Sequence, residues 1–356
     1  MDTQLTKCIE VSERLLGTEA TLFYHFSDLV LIGLAGEILG DEVIKRVADT
    51  ETCVSLARSV PDQKMQLLSN AVVAATTRDN YNDCRGQRQS SSLKTVEDNV
   101  RVQQEVLKAI LSKVPKPRNK CLFVCVGSSA DKLAMAFEYM NLHTHTVLFS
   151  RTVAEHFEFS GCDNGKLQKC AMQQHKKMKE TVQNIRETII KPQRRALKES
   201  DASHIVLVDF VASGSTFMML LQMLHTFDAD IYEITHPLMI MSPNMTTLKS
   251  NLLRLNPRTI EIATDSEFYF FPKMFRCVPH VKNTGTTKTV LQTEPLNHGQ
   301  YALCNAARIF YAKHILLPLR KTHTSSTSGG RENRGSETAR PSRDPLRTRP
   351  AKARQS

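Results

Sequence analysis

Tryptophan is absent from the 356 residues, and so are the short motifs that would identify several enzyme classes at sight. There is no Gly-x-x-x-x-Gly-Lys run, which excludes a P-loop, and no Gly-x-Gly-x-x-Gly, which excludes the usual dinucleotide fingerprint. The lack of His-Glu-x-x-His excludes the common zinc protease helix. No two cysteines stand as Cys-x-x-Cys, and nine is an odd number, so neither a zinc ribbon nor a complete intrachain disulfide framework is expected. Cys121 and Cys125 lie in an apolar run and read as buried thiols. Long apolar runs are missing too. The longest, Leu29 to Leu39, is interrupted by Gly33, Gly36 and Glu37 and falls far short of a bilayer span. Asp2 stands where a secretory leader would be basic. Together these absences predict a reducing, cytoplasmic setting with free thiols and no membrane contact.

Hydrophobic residues supply 41% of the chain, enough for a sizeable core, and charged residues 23%. The net charge of +11 is concentrated at the end: residues 321–356 hold nine Lys or Arg against three Asp or Glu. The remainder is only mildly basic, so composition does not make it a nucleic-acid-binding domain. Ser, Thr, Gly, Pro and Arg dominate 321–356, which predicts a disordered basic tail: such a segment cannot bury enough surface to offset its ordering entropy. The tail could contact RNA, an acidic partner or an anionic surface, or remain solvated.

Apolar spacing predicts helices through residues 1–92. Leu5, Ile9, Leu15 and Leu16 form one stripe, and Leu34, Ile38 and Leu39 another, with Ser27 and Asp28 suited to cap it. Pro61 starts a helix that turns Met65 and Leu68 inward. A further stripe over 93–114 carries Val96, Val100, Leu107, Ile110, Leu111 and Val114, broken once by Gln103. After Pro115 the pattern changes to short apolar runs of strand length: Cys121–Val126, Thr146–Phe149, His204–Val208, Asp230–Ile234 and Arg258–Ala263. Pro237 argues against extending the fourth. Helical segments are expected between them over Lys132–Met140, Leu167–Ile190, Phe217–Phe227 and Met245–Leu255. Strands buried on both faces and alternating with helices predict an α/β domain with a parallel sheet.

Chemistry concentrates where strands meet helices. His204–Leu221 reads as a strand ending at Asp209, a loop of small residues, and a helix. In the loop, Ala212, Ser213, Gly214, Ser215 and Thr216 allow backbone N–H groups and hydroxyls to approach a phosphate. Asp209 is suited to accept from sugar hydroxyls or to hold a water on Mg²⁺. This stretch resembles the phosphoribosyl pyrophosphate (PRPP) signature of the type I phosphoribosyltransferases. Aligned on Gly214, Asp209 matches the second of that family's two acids, while Val208 departs from the first. Gly127, Ser128, Ser129 and Lys132, which open the first helix after the first strand, resemble the family's pyrophosphate loop. Arg151 follows the second strand as a basic residue does there. The connection Thr152–Asp201 spans about fifty residues, longer than the family's mobile loop.

The resemblance implies a phosphoribosyltransferase-like α/β fold over 93–320, after a helical region over 1–92 and before the tail. It implies binding of PRPP or a nucleotide 5′-phosphate with Mg²⁺, and transfer of phosphoribosyl to a nitrogenous base with release of pyrophosphate. In that reaction Lys132 would take up charge on pyrophosphate and Asp209 would orient the ribose. Two alternatives stay open: a non-catalytic PRPP or nucleotide sensor on the same fold, and an RNA- or protein-binding accessory factor that uses the fold as scaffold. Self-association is left open. The basic run His175, Lys176, Lys177, Lys179, Arg186, Lys191, Arg194 and Arg195 reads either as a solvated face or as a contact for a polyphosphate or RNA. The tail generates the first testable outcome. Deleting 322–356 should leave the thermal midpoint within a few degrees, since a segment without buried surface adds little stability. A larger drop in a thermal melt would show that it packs on the body.

Overall fold

The computed structural model describes residues 3–17, 26–40, 48–69, 96–127, 130–147, 149, 186–211, 215–241, 253–264, 278–283, 289–294 and 298–319. All belong to one unit, Met1–Leu319. The described residues begin with α1 (Thr3–Leu16), α2 (Phe26–Leu39), α3 (Thr50–Ser59) and α4 (62–69). Then come α5 (Val96–Lys113), β1 (Cys121–Val126), α6 (Asp131–Tyr139), β2 (Thr144–Val147), α7 (Lys191–Ser200), β3 (His204–Val211), α8 (Ser215–Phe227), α9 (Ala229–Glu233), β4 (Thr235–Met241) and β5 (Ile260–Ala263). The antiparallel pair β6 (Val278–Asn283) and β7 (Thr289–Glu294) follows, and α10 (His298–Tyr311) closes the described chain with a π-helical turn, Ala312–Leu316.

The architecture is α/β, with a five-stranded parallel sheet in the order β2-β1-β3-β4-β5. Alternation along each strand divides the core in two. Cys121, Phe123, Cys125, Val206, Val208, Phe210, Leu238, Ile240 and Ile262 face one layer, built from α5, α6, α10 and the N-terminal helices. Leu122, Val124, Val126, Ile205, Leu207, Val211, Met239 and Met241 face the other, where Phe217, Leu220 and Leu224 of α8 pack. β1 is buried along its whole length, as a strand covered on both faces must be. Each fully buried Leu, Ile or Phe contributes about 1.5–3 kcal/mol, so these two layers supply the main driving force.

The helices of residues 1–92 share the first layer with the sheet. α2 is buried from Leu31 to Gly36 because it lies against both α1 and α10. A Cβ placed on Gly33 would lie 1.9 Å from the Cys8 carbonyl oxygen, and one on Gly36 2.6 Å from Leu15. These glycines let the two backbones meet. Arg308 of α10 is fully buried and ties the N-terminal layer to the sheet. Its Nε donates to the Ala48 carbonyl (3.0 Å), its NH2 to Thr50 Oγ1 (3.4 Å), and Thr50 Oγ1 donates to Glu138 of α6 (2.5 Å). Asn305 of α10 accepts from the Ala48 amide at 2.7 Å.

Some elements differ from expectation. Asp230–Ile234 is no strand. The Asp228 side chain accepts from Ile231 N at 3.2 Å, which caps a short helix, and the fourth strand begins at Thr235. Pro237 lies within that strand, opposite Leu207, one residue before pairing with β5 begins at Leu238. Ser27 and Asp28 fall inside the first turn of α2, not at its cap. β2 runs from Thr144, two residues earlier than expected, and takes in His145. α7 follows a π-helical turn, Arg186–Ile190. Gln103 is buried among the apolar stripe of α5. Residues 167–185, 245–252 and 320–356, with the helices and tail expected there, lie outside the described residues.

The close crossing of α1 and α2 is testable. Gly33→Ala forces a methyl group into the Cys8 backbone, which cannot move aside like a side-chain tip. It should destabilise by about 2–3 kcal/mol or more in urea unfolding, the range for overpacking. A change within about 0.5 kcal/mol would show that the helices can separate freely.

Candidate functional site at the carboxyl ends of the central strands

β1 leads into α6, which packs on the first face of the sheet, and β3 leads into α8, which packs on the second. The two strands are neighbours, with Cys125 opposite Val208. The chain therefore leaves adjacent strands toward opposite faces of the sheet, and the direction of the strand order reverses between β1 and β3. Open parallel sheets bind ligands at such a point. By that register Gly127 and Phe210 are level with each other, two residues further along.

Gly127 is required by its surroundings. Its amide donates to the Val147 carbonyl at 2.8 Å, which draws the end of β1 against the end of β2. It sits at φ +64°, where side chains other than glycine are strained, and a Cβ would lie 2.9 Å from the Phe149 carbonyl oxygen. α6 starts four residues later. Ala130, at its N-cap, makes no side-chain hydrogen bond to the first turn.

Asp131 and Lys132 form the start of α6, and both are buried. Lys132 Nζ lies 4.7 Å from the centre of the Phe210 ring, within the range of a cation–π contact. Burial lowers its pKa from the usual lysine value to about 7. Desolvation opposes the charged form. Lys132 thus joins the loop after β1 to the end of β3.

Asp209 is buried at the level of Met239 of β4. Strand alternation puts it on the face of α8, opposite to Phe210 and Lys132. Lys132 and Asp209 therefore lie on opposite faces of the sheet. Val208 is fully buried in the first layer. Its side chain is part of the core packing. Ser215 and Thr216 are the first two residues of α8. Ser128, Ser129, Arg151, Ala212, Ser213 and Gly214 lie outside the described residues.

Sequence reasoning passed over Asp131 and the part played by Phe210. An acid in the first turn of a helix was a readable signal, but the contact between Lys132 and Phe210 joins positions 78 apart in number and follows only from strand pairing. Three members of the basic run are engaged elsewhere. Arg194 donates twice to Asp228 (2.5 and 2.6 Å), Arg195 pairs with Glu199 at 2.8 Å, and Lys191 pairs with Glu187. Among the described residues, no group of three or more His, Cys, Asp or Glu side chains is placed to hold a metal ion, and no helix is long and apolar enough to cross a membrane. Comparison with family models, with curated proteins and with solved structures gives no match.

Lys132 carries a linkage with a definite sign. Its folded pKa, about 7, lies below the unfolded value. Between these values the unfolded chain binds more protons, so this group makes stability rise with pH from about 7 to about 10 and leaves it flat below. Lys132→Met keeps the apolar stem and removes the charge. It should stabilise the ligand-free protein by a few kcal/mol at pH 7 and lose most of that advantage by pH 10. Denaturant midpoints of both proteins at the two pH values check this; a pH-independent difference would contradict it.

Proposed function

We propose that the chain binds PRPP, or a nucleotide 5′-phosphate, at the carboxyl ends of β1 and β3, and transfers phosphoribosyl to a nitrogenous base with release of pyrophosphate. The observation that carries this reading is the pairing of β1 with β3 at the switch point, where Gly127 is level with Phe210 and Lys132 lies against the Phe210 ring. In the sequence, runs of small and hydroxyl residues follow Gly127 and Val211. In this reading the first run and Lys132 hold pyrophosphate. Gly214, Ser215 and Thr216, at the start of α8, hold the 5′-phosphate, and Asp209 accepts from the ribose. An aligned cation at the leaving pyrophosphate takes up charge as the glycosidic bond lengthens.

Mg²⁺ fits this donor set in one way. Asp209 is a single carboxylate at a strand end, and a Mg²⁺ ion is commonly held by one carboxylate together with substrate phosphates and water. Bound with PRPP, the ion would neutralise the leaving group.

Val208 favours a second reading, a non-catalytic PRPP or nucleotide sensor. With that position buried in the core, the family's pair of acids at the ribose is reduced to Asp209, and a binding module tolerates such a loss better than turnover does. Titration calorimetry with PRPP and Mg²⁺ tests the shared part. Gly214→Val should abolish binding, because a branched side chain blocks the approach of phosphate to backbone. Asp209→Asn should weaken PRPP while sparing inorganic pyrophosphate. Val208→Asp should cost about 3–5 kcal/mol of stability, the penalty of an uncompensated buried charge. Pyrophosphate release over a panel of bases then separates enzyme from sensor. If the wild type binds no PRPP, or Gly214→Val and Asp209→Asn both bind it like the wild type, the phosphoribosyl reading fails.

A further inference from the structure

β3 and β4 are buried along almost their whole length, and the exceptions meet each other. In β3 the half-buried residue is His204, and in β4 it is His236. Strand alternation puts both on the layer of Val206, Val208, Leu238 and Ile240, at the amino ends of the strands. His236 Nε2 and His204 Nδ1 are 3.3 Å apart, and the ring centres lie 5.1 Å apart with the planes at 71°. One ring donates an N–H and the other accepts on a bare nitrogen. Beside the pair, the Ile205 amide donates to the Ile234 carbonyl at 3.0 Å, a main-chain bond between β3 and the entry to β4.

An N–H···N bond needs one unprotonated nitrogen. When both rings are charged, every ring nitrogen carries a hydrogen, no acceptor remains, and two cations stand side by side. Among the described residues, neither ring is paired with a carboxylate that could offset this charge. The ionic groups on the surrounding elements are engaged with one another. Arg258, before β5, pairs with Glu233 of α9 at 2.8 Å, and Lys120, before β1, pairs with Asp201, before β3, at 2.5 Å. Asp230 of α9 lies 3.7 Å from Arg194 of α7. Arg118 donates to the Leu111 carbonyl, and Lys113 of α5 to the Glu261 carbonyl of β5. The Cys121 thiol, opposite His204, donates to the Pro115 carbonyl. Lys116 and His143 lie on the turns before β1 and β2. Burial, then the neighbouring His204 and Arg258, push the His236 imidazole below the usual histidine value of 6.5. Between that value and the lower folded one, the unfolded chain binds more protons. The stability that the pair contributes is therefore present above 6.5 and lost as pH falls through the folded value.

We propose that His204 and His236 form an acid-sensitive joint between β3 and β4, closed while at least one ring is neutral and opened when both are charged. Opening takes up two protons from solvent, one on each ring, and breaks the N–H···N bond. Repulsion then separates the rings and frees the Ile205–Ile234 bond beside them. The opening is local, because β3 stays paired with β1 and, from Val206 onward, with β4. The joint lies at the end of β3 opposite to Asp209 and Phe210. It stands apart from the phosphate reading and depends on none of the residues in it.

Hydrogen exchange of the full chain, followed by NMR and referred to the intrinsic rate at each pH, reads the joint at one amide. Protection of the Ile205 amide in the wild type should be lower at pH 5 than at pH 7.5 by about tenfold or more. His204→Gln and His236→Gln each keep a hydrogen-bonding side chain that does not titrate. In both, the same change of pH should lower protection by less than about threefold, and acid effects from the rest of the chain are common to all three proteins. Equal protection of the wild type at the two pH values overturns the joint. So does a tenfold drop that persists in either variant. If circular dichroism shows both variants unfolded, ring ¹⁵N shifts of the wild type decide. The pair should take up its two protons in steps more than about one pH unit apart, as coupled rings do. Closer steps show that the rings titrate independently, and the inference fails.

Discussion

Burial of β1 and β3 on both faces is the constraint on which the rest of the structure depends. A strand covered on both sides has no polar face, so every side chain from Cys121 to Val126 is apolar or a thiol and every one is buried. Polar chemistry is left only the ends of the strands. α6, which follows β1, and α8, which follows β3, pack on opposite faces of the sheet, with Gly127, Phe210 and Asp209 at the carboxyl ends of the two strands.

The buried charges elsewhere have structural explanations. Asp228 is almost fully enclosed, but it accepts two bonds from Arg194 and caps α9, so its charge joins α7 to the turn before β4. Arg308 is linked through the Thr50 hydroxyl to Glu138 and fixes the start of α3 against α6 and α10. Lys132 is different. It lies against the Phe210 ring, and burial there disfavours the charge it carries in water.

The degree to which the fold could be read beforehand varied with the range of the interactions involved. β1 and β3 were legible because runs such as Cys121–Val126 and His204–Val208 have strand length and no polar break. The inward stripe of α5 was legible from helical spacing. Asp230–Ile234 was misread because its Ile, Tyr and Ile pattern suits a strand, while the deciding event is one hydrogen bond from Ile231 N to Asp228. α10 and the pair β6–β7 went unread, although Ala302, Ala306, Ile309 and Phe310 have helical spacing and all four are buried. The α1–α2 crossing was invisible, since nothing local marks Gly33 as the point where Cys8 must pass.

The sequence by itself determined the class of the fold, the two central strands, and the places where each gives way to a loop of small residues and a helix. These follow from local composition and period. Only the tertiary structure decided which residues meet across that switch point. Strand register sets Gly127 level with Phe210, and alternation turns Val208 into one apolar layer and Asp209 toward the other. The reach of Lys132 to Phe210 follows from both. A side-chain period of two is local, but its phase relative to the neighbouring strand and to the covering helices is fixed only when the sheet is assembled.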